Sequence, residues 1–305
     1  QLSKNLGFEL TTAQQKSIDE INTDLASNHP MLRLLQGDVG SGKTIVAVFA
    51  CLQAAANGFQ TAVMAPTEIL ASQHLQGFLN YLEPLGIKVA FLTGSQNSSE
   101  RSEQLEKIES GSAQVVIGTH ALFQESVKFN KLGLVVVDEQ HKFGVHQRLS
   151  LAQKAHNTPH QLVMTATPIP RSLTMSAYAD LDSSIIDELP PGRMPIKTIA
   201  LSSERKGEVI KKIKQVCGSG NQVYWVCTLI EESEALRAES ATNTHQYLQE
   251  SLPSLSVVLI HGKMHKDEKS EIMDKFSQGE IHVLVATTVI EVGVNVPNAS
   301  LMGIE

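Results

Sequence analysis

An octapeptide of small and flexible residues, GDVGSGKT, runs from Gly37 to Thr44 between an apolar run, Leu32–Leu35, and a helix-forming run, Ile45–Ala56. Few local sequences constrain a fold as tightly, because strand, glycine loop and helix must follow in that order for the loop to cradle phosphate. Glycines let backbone N–H groups converge on an anion at a helix N-terminus, where partial positive charge accumulates. Lys43 adds a full charge for β- and γ-phosphate oxygens, and Thr44 offers a hydroxyl to Mg²⁺. Gly37, Asp38, Val39, Gly40, Ser41, Gly42, Lys43 and Thr44 are thus the expected nucleotide-binding set, against the plainer alternative of a structural glycine turn.

Such a cradle needs an acidic partner at the end of a buried strand. LVVVDEQH, Leu134 to His141, supplies one. Asp138 can hold the shell of a Mg²⁺ ion and Glu139 can polarise the attacking water; hydrolysis needs both a metal to neutralise charge and a carboxylate to deprotonate water. An acidic pair ending a strand is weak evidence alone and strong evidence beside Lys43.

Around these motifs, short β-branched runs at Thr61–Ala65, Val89–Thr93, Gln114–Gly118, Leu134–Val137 and Gln161–Thr165 alternate with helix-length segments. That rhythm predicts an α/β fold with a doubly wound parallel sheet. DELPPGRMPIK, Asp187–Lys197, is too rich in proline and glycine for regular structure and reads as an interdomain linker. The alternation then resumes: helices at Lys206–Cys217, Ala235–Leu252 and Lys266–Gln278, and strands at Gln222–Cys227, Ser256–Ile260 and Val283–Ala286. Two domains, 1–192 and 193–305, are expected, as the 305-residue length also suggests.

Composition narrows the partners. A formal charge of −7 excludes a uniformly basic nucleic-acid coat, so any nucleic-acid contact must be local. The longest apolar run, Ile45–Ala56, is too short to span a membrane, and no basic-then-apolar leader precedes it; a cytoplasmic protein without membrane contact is expected. Cys51, Cys217 and Cys227 have no CxxC or zinc-finger spacing, and the eleven histidines include no HExxH, so buried thiols and no structural metal are expected. No GxSxG motif suggests acyl transfer.

With the two phosphate-site motifs in place, the chain resembles superfamily 2 helicase motors and, more narrowly, the bacterial RecG-type branched-DNA helicases. FELTTAQQKSI, with Gln14, resembles the upstream glutamine motif that reads adenine. MAPTEILASQH, Met64 to His74, resembles motif Ia, where Thr67 meets a DNA backbone. Thr93-Gly94-Ser95 and Gly118-Thr119-His120 resemble the next DNA-facing motifs. TATPIPR, Thr165 to Arg171, resembles motif III, which couples hydrolysis to domain movement. DEQH followed by FGVHQR is closer to RecG than to DEAD-box RNA helicases; the transcription-coupling translocases share TATPIPR and FGV but have DEEH and a different loop residue at Ser41. YWVCTLIEESE at Tyr224–Glu234, IHGKMHKDEK at Ile260–Lys269 and VLVATTVIEVGVNVP at Val283–Pro297 are similar to later segments of the same family, in the same order.

The resemblance implies two RecA-like domains of a P-loop NTPase, the second incomplete, with ATP and Mg²⁺ in the cleft between them and DNA, as branched duplex, across their tops. It gives His141 a bridging role between the hydrolysis site and motif III, the alternative being an ordinary loop histidine. It makes Thr165 and Thr167 coupling residues and Thr67, Thr119 and Thr288 DNA contacts. Asn295 stands where the family has Asp near the ribose, and can hydrogen-bond there without charge.

The chain ends at Glu305 before the arginine-bearing motif VI and carries no wedge domain ahead of the motor, so the reading expects a motor fragment, monomeric and impaired in turnover. The truncated second sheet is expected to leave an exposed edge near Val283–Ala286 and Ser300–Ile304. Tyr224 and Trp225 could stack on a base, but their apolar strand favours core packing, and Lys211, Lys212 and Lys214 read as a solvated helix face.

The expected activity is ATP-driven remodelling of branched DNA, such as stalled forks and Holliday junctions, in recombination and repair. The alternatives are the translocase module of a transcription-coupled repair factor, or a nucleotide-dependent DNA-binding fragment without turnover.

Overall fold

The computed structural model describes residues 2, 6–139, 158–167, 181–189, 196–227, 234–262, 264–287, 296 and 298–305. The chain divides into two compact units, Gln1–Met194 and Pro195–Glu305. In the first, helices α1 (Thr12–Leu25), α2 (Lys43–Ala56), α3 (Glu68–Leu82) and α4 (Ser98–Glu109) accompany strands β1 (Leu32–Gly37), β2 (Gln60–Met64), β3 (Val89–Leu92), β4 (Val115–Gly118), β5 (Leu132–Asp138), β6 (His160–Thr165) and β7 (Asp182–Ile186). The seven strands form one parallel sheet in the order β3-β4-β2-β5-β6-β1-β7.

A parallel sheet must be covered on both faces, and alternate residues of its strands serve opposite sides. Leu134 and Val136 of β5 join Val63, Val115 and Ile117 in one apolar cluster with α1, α2 and α3, whereas Val135 and Val137 join Ala62, Met64 and Val116 in the other. The helices start where the sequence provides caps. Thr11 opens α1 in a reciprocal capping box with Gln14, Thr67 opens α3, and Asn97 opens α4. Only α2 of these four has no side-chain cap; its N-cap is Gly42.

Arg33 of β1 is 8% exposed and locks the sheet to α1. Its Nε donates to Asp24 Oδ2 at 2.6 Å and its Nη1 to Ser184 Oγ at 3.0 Å, so one guanidinium joins β1, α1 and β7.

The second unit holds α5 (Lys206–Gly218), α6 (Glu234–Ser251) and α7 (Lys266–Ser277) with β8 (Gln222–Cys227), β9 (Val257–Ile260), β10 (Val283–Thr287) and β11 (Ala299–Ile304). Its sheet is also parallel, in the order β11-β8-β10-β9. The expected edge at Val283–Ala286 is corrected here: β10 is an interior strand, because β8 pairs with it on one side and β9 on the other. β11 and β9 are the two edge strands, and β11 leaves Met302 and Ile304 exposed. Tyr224 and Trp225 are buried in the core at 7% and 5% exposure, and burial pushes the Tyr224 hydroxyl up to about 12. The three cysteines are free and buried, Cys51 pushed up to about 12 by desolvation. Lys211, Lys212 and Lys214 are exposed on α5. No described helix is long and apolar enough to cross a membrane.

Candidate active site

In a parallel sheet every strand points the same way, so the loops after the strands gather along one carboxyl edge. Strand order then sorts the motifs. Across that edge come the Thr93 loop after β3, the Thr119 loop after β4, the Thr67 loop after β2, Asp138 and Glu139 after β5, Thr165 and Thr167 after β6, and the Gly37–Thr44 loop after β1. The motifs assigned to phosphate chemistry occupy β5, β6 and β1, and those assigned to a DNA backbone occupy β3, β4 and β2. β5 stands at the boundary.

The phosphate loop is built around its own backbone. Gly42 has φ +91, and a Cβ there would lie 2.2 Å from Gln14 Nε2, so this position combines a left-handed backbone with no room for a side chain. At Gly37 a Cβ would meet Ser41 Oγ at 2.5 Å. Lys43 Nζ donates to the carbonyls of Gly37, at 2.7 Å, and Asp38, at 3.1 Å, so the ammonium is folded over the loop. Asp38 Oδ1 accepts from Val39 N–H, and Ser41 N–H donates to the Asp38 carbonyl, which closes a turn through Val39 and Gly40. Ser41 Oγ is a buried hydroxyl with no hydrogen-bond partner among the described residues. A side-chain-uncapped helix N-terminus, an adjacent ammonium, the Thr44 hydroxyl and a carboxylate are together a donor set that fits a nucleotide phosphate with a hard cation.

Gln14 is 2% exposed, and its amide is committed at both ends. Oε1 accepts from Thr11 N–H at 3.0 Å, and Nε2 donates to the Ser41 carbonyl at 2.8 Å. The glutamine expected to read adenine therefore ties the start of α1 to the phosphate loop.

Glu139 is 9% exposed and has φ +50, a left-handed conformation that costs a residue with a Cβ about 1–2 kcal/mol. Neighbouring β6 holds it there: Glu139 N–H donates to the Met164 carbonyl at 3.0 Å, and Glu139 Oε1 accepts from Ala166 N–H at 3.2 Å. Thr165 Oγ1 stands 3.5 Å from Glu139 Oε2, at the outer limit of a hydrogen bond, and 2.9 Å from Thr167 Oγ1. The structure thus brings the proposed base and both proposed coupling threonines into one cluster.

Asp138 has a partner that motif reading leaves without a role. His74 Nε2 lies 2.7 Å from Asp138 Oδ2, and because an ionised carboxylate only accepts, the ring nitrogen is the donor. His74 sits on the buried stripe of α3 with Leu70, Ala71, Phe78 and Leu82. A histidine in helical register with four apolar residues is the sequence signal that could have singled it out.

Of the residues expected at DNA, Thr67 is half-buried and caps α3 through Leu70 N–H. Thr119 is 1% exposed and its hydroxyl is buried, while the next residue, His120, is exposed. His141, Thr288 and Asn295, together with the FGVHQR segment, lie outside the described residues.

Comparison with known proteins places the chain. The DEAD/DEAH box helicase family model matches residues 11–176, and the helicase conserved C-terminal domain model matches residues 208–305. The chain is 57% identical over 304 residues to the ATP-dependent DNA helicase RecG of Escherichia coli O157:H7, covering 98% of this chain and 44% of that protein. It is 55% identical to the RecG of Haemophilus influenzae, again over 98% of this chain and 44% of the relative, so it spans less than half the length of these curated relatives. Among solved structures, RecG bound to a three-way DNA junction matches with TM-score 0.81 and 41% identity, over 99% of this chain and 39% of that one. Mss116p bound to single-stranded RNA and AMP-PNP matches with TM-score 0.71 at 19% identity, over 95% of this chain and 62% of that one, a likeness of fold. With the phosphate loop, the acidic pair and the Thr165–Thr167 segment ordered along one sheet edge, and with sequence similar to RecG over nearly its whole length, the chain belongs to the DEAD/DEAH box helicase family.

Proposed function

We propose that the chain is an ATP-driven DNA motor acting on branched duplex. The observation that supports this reading is the sheet order, in which the strands carrying the phosphate motifs and those carrying the loops assigned to DNA occupy adjacent halves of one edge, with Asp138 and Glu139 at their boundary. Residues 1–192 form the ATP-binding domain in this reading and 193–305 the helicase C-terminal domain.

Gly37–Thr44 bind the β- and γ-phosphates, with Lys43 leaving its loop carbonyls for phosphate oxygens. Thr44 and Asp138 would hold Mg²⁺, which would supply neutralisation of the phosphate charge. Glu139 accepts the proton of the attacking water, its carboxylate aimed by Ala166 N–H. Thr165 and Thr167 pass the state of Glu139 onward, with His141 as a further bridge. Gln14 holds the phosphate loop in register beneath an adenine, and Asn295 meets the ribose. DNA backbone contacts fall to Thr67, to the Thr119 loop through its exposed His120, and to Thr288. The similarity to a RecG bound to a three-way junction supports branched DNA as substrate.

The Glu139→Gln variant tests the reading. A motor that cannot deprotonate water retains ATP, so a three-way junction should be held at least tenfold more tightly in Mg²⁺ and ATP than in ADP, with affinity falling steeply as salt rises. Junction binding indifferent to nucleotide would refute it.

A further inference from the structure

We propose that His74 is a positioning residue for the metal-side carboxylate, fixing Asp138 through one oxygen so that the other faces the Mg²⁺ shell. The inference rests on the Mg²⁺·ATP reading of this site and adds to it a residue on α3, an element that contributes none of the residues assigned to phosphate or metal.

Three observations carry it. The contact is short, 2.7 Å between His74 Nε2 and Asp138 Oδ2, and both side chains are largely withdrawn from water, at 10% and 13% exposure. A hydrogen bond to an ionised carboxylate in such surroundings is stronger and more directional than at a surface. The ring is itself held: His74 packs edge-on against Phe78, with centroids 6.2 Å apart and planes at 89°, and Phe78 is fully buried. Finally, the pair bridges separate elements. His74 follows β2 on α3, Asp138 ends β5, and β2 and β5 are neighbours in the sheet, whereas the phosphate loop follows β1, beyond β6.

The start of α3 is also tied to its surroundings. In its first turn Glu68 Oε2 accepts from Ser95 Oγ at 2.8 Å, and Thr67 caps the helix, so α3 is pinned at its start as well as at His74. A carboxylate without such a donor can rotate about its last bond and presents either oxygen, or both, to the cation. With Oδ2 committed to His74, Oδ1 is left for the metal shell in one orientation. Groups that orient a metal-binding carboxylate in this way typically contribute about 10–100-fold to metal affinity or activity.

The test is the Mg²⁺ concentration needed for half-maximal binding of a fluorescent non-hydrolysable ATP analogue to the 305-residue chain, free of DNA. His74→Leu should raise that requirement about tenfold, the low end of the range for such residues, while leaving analogue binding in EDTA as in the parent. His74→Gln, which keeps an N–H donor at comparable reach, should stay within about threefold of the parent. A His74→Leu variant that is folded by circular dichroism and has the parent's Mg²⁺ requirement would overturn the proposal. Should His74→Leu fail to fold, the ring is read in the parent by long-range ¹⁵N–¹H spectra. The Nε2–H tautomer should persist, and its Nε2 resonance should move on adding Mg²⁺ with the analogue and not with the analogue in EDTA; an unmoved resonance overturns the proposal. A parent that binds the analogue equally well with and without Mg²⁺ would instead overturn the metal reading of the site itself.

Discussion

Replacing Gln14 by leucine isolates what a buried amide contributes to the phosphate loop. Leucine fills nearly the same volume, so cavity formation is a minor cost. Two polar groups lose their partner. The Ser41 carbonyl, whose bond to Gln14 is buried, costs about 1–3 kcal/mol when left unpaired, and the partly buried Thr11 N–H loses the return half of the capping box, about 0.5–1 kcal/mol. The expected loss is about 2–3 kcal/mol, confined to the first unit. Trp225, the single tryptophan, lies in the second unit. Urea unfolding followed by far-ultraviolet circular dichroism should therefore lose a first-unit transition at lower urea, with the Trp225 fluorescence transition unmoved. Nucleotide affinity should fall up to about tenfold, since about 1.4 kcal/mol spent on reordering the loop is one decade. Thr11→Ala, which removes the cap and leaves the Ser41 contact, should cost only about 1 kcal/mol. A Gln14→Leu protein losing less than 1 kcal/mol with parental nucleotide affinity would refute the idea that this amide holds the loop.

Arg33→Leu leaves Asp24 and Glu20 facing each other without their shared cation, and since both carboxylates keep some solvent the cost should be about 2–3 kcal/mol, below that of a fully buried pair, read by circular-dichroism melting. His160 has its pKa held below the ordinary histidine value, mainly by desolvation, and its Nδ1 accepts from Met31 N–H. The unfolded chain therefore binds this proton first as pH falls, so stability is lost below the ordinary histidine pKa; His160→Asn should flatten the stability profile there, and an unchanged slope would count against the assignment. Thr165→Val removes the hydroxyl beside Glu139 and Thr167 and should lower DNA stimulation of ATP hydrolysis more than the DNA-free rate, measured in paired steady-state assays.

The alternating architecture was readable because buried parallel strands write themselves as unbroken β-branched runs. Gln222–Cys227 is found at the expected bounds, and the remaining expected strands within two residues at either end. β7 escapes such a reading because an edge strand pairs on one side and buries one stripe: Asp182–Ile186 carries two exposed polar residues and two buried positions, one of them a serine held by Arg33. The phosphate loop was legible because its chemistry is local, contained within eight consecutive residues. The Arg33–Ser184 and His74–Asp138 contacts were not, because each joins residues far apart in sequence, and nothing in a one-dimensional pattern says which group a buried cation or imidazole will meet. Thr119 illustrates the converse: its position after β4 follows from the motif, but the direction of its side chain depends on the tight turn that follows, which turns the hydroxyl inward and His120 outward.

The central claim, that nucleotide chemistry at this sheet edge drives work on DNA, is tested most directly by steady-state ATP hydrolysis of the chain with and without a forked duplex, with Lys43→Ala as the blank. The account predicts hydrolysis that rises with forked DNA and disappears in the variant. A rate that is flat with DNA and no higher than the Lys43→Ala blank would contradict it and leave a protein that binds nucleotide without turning it over.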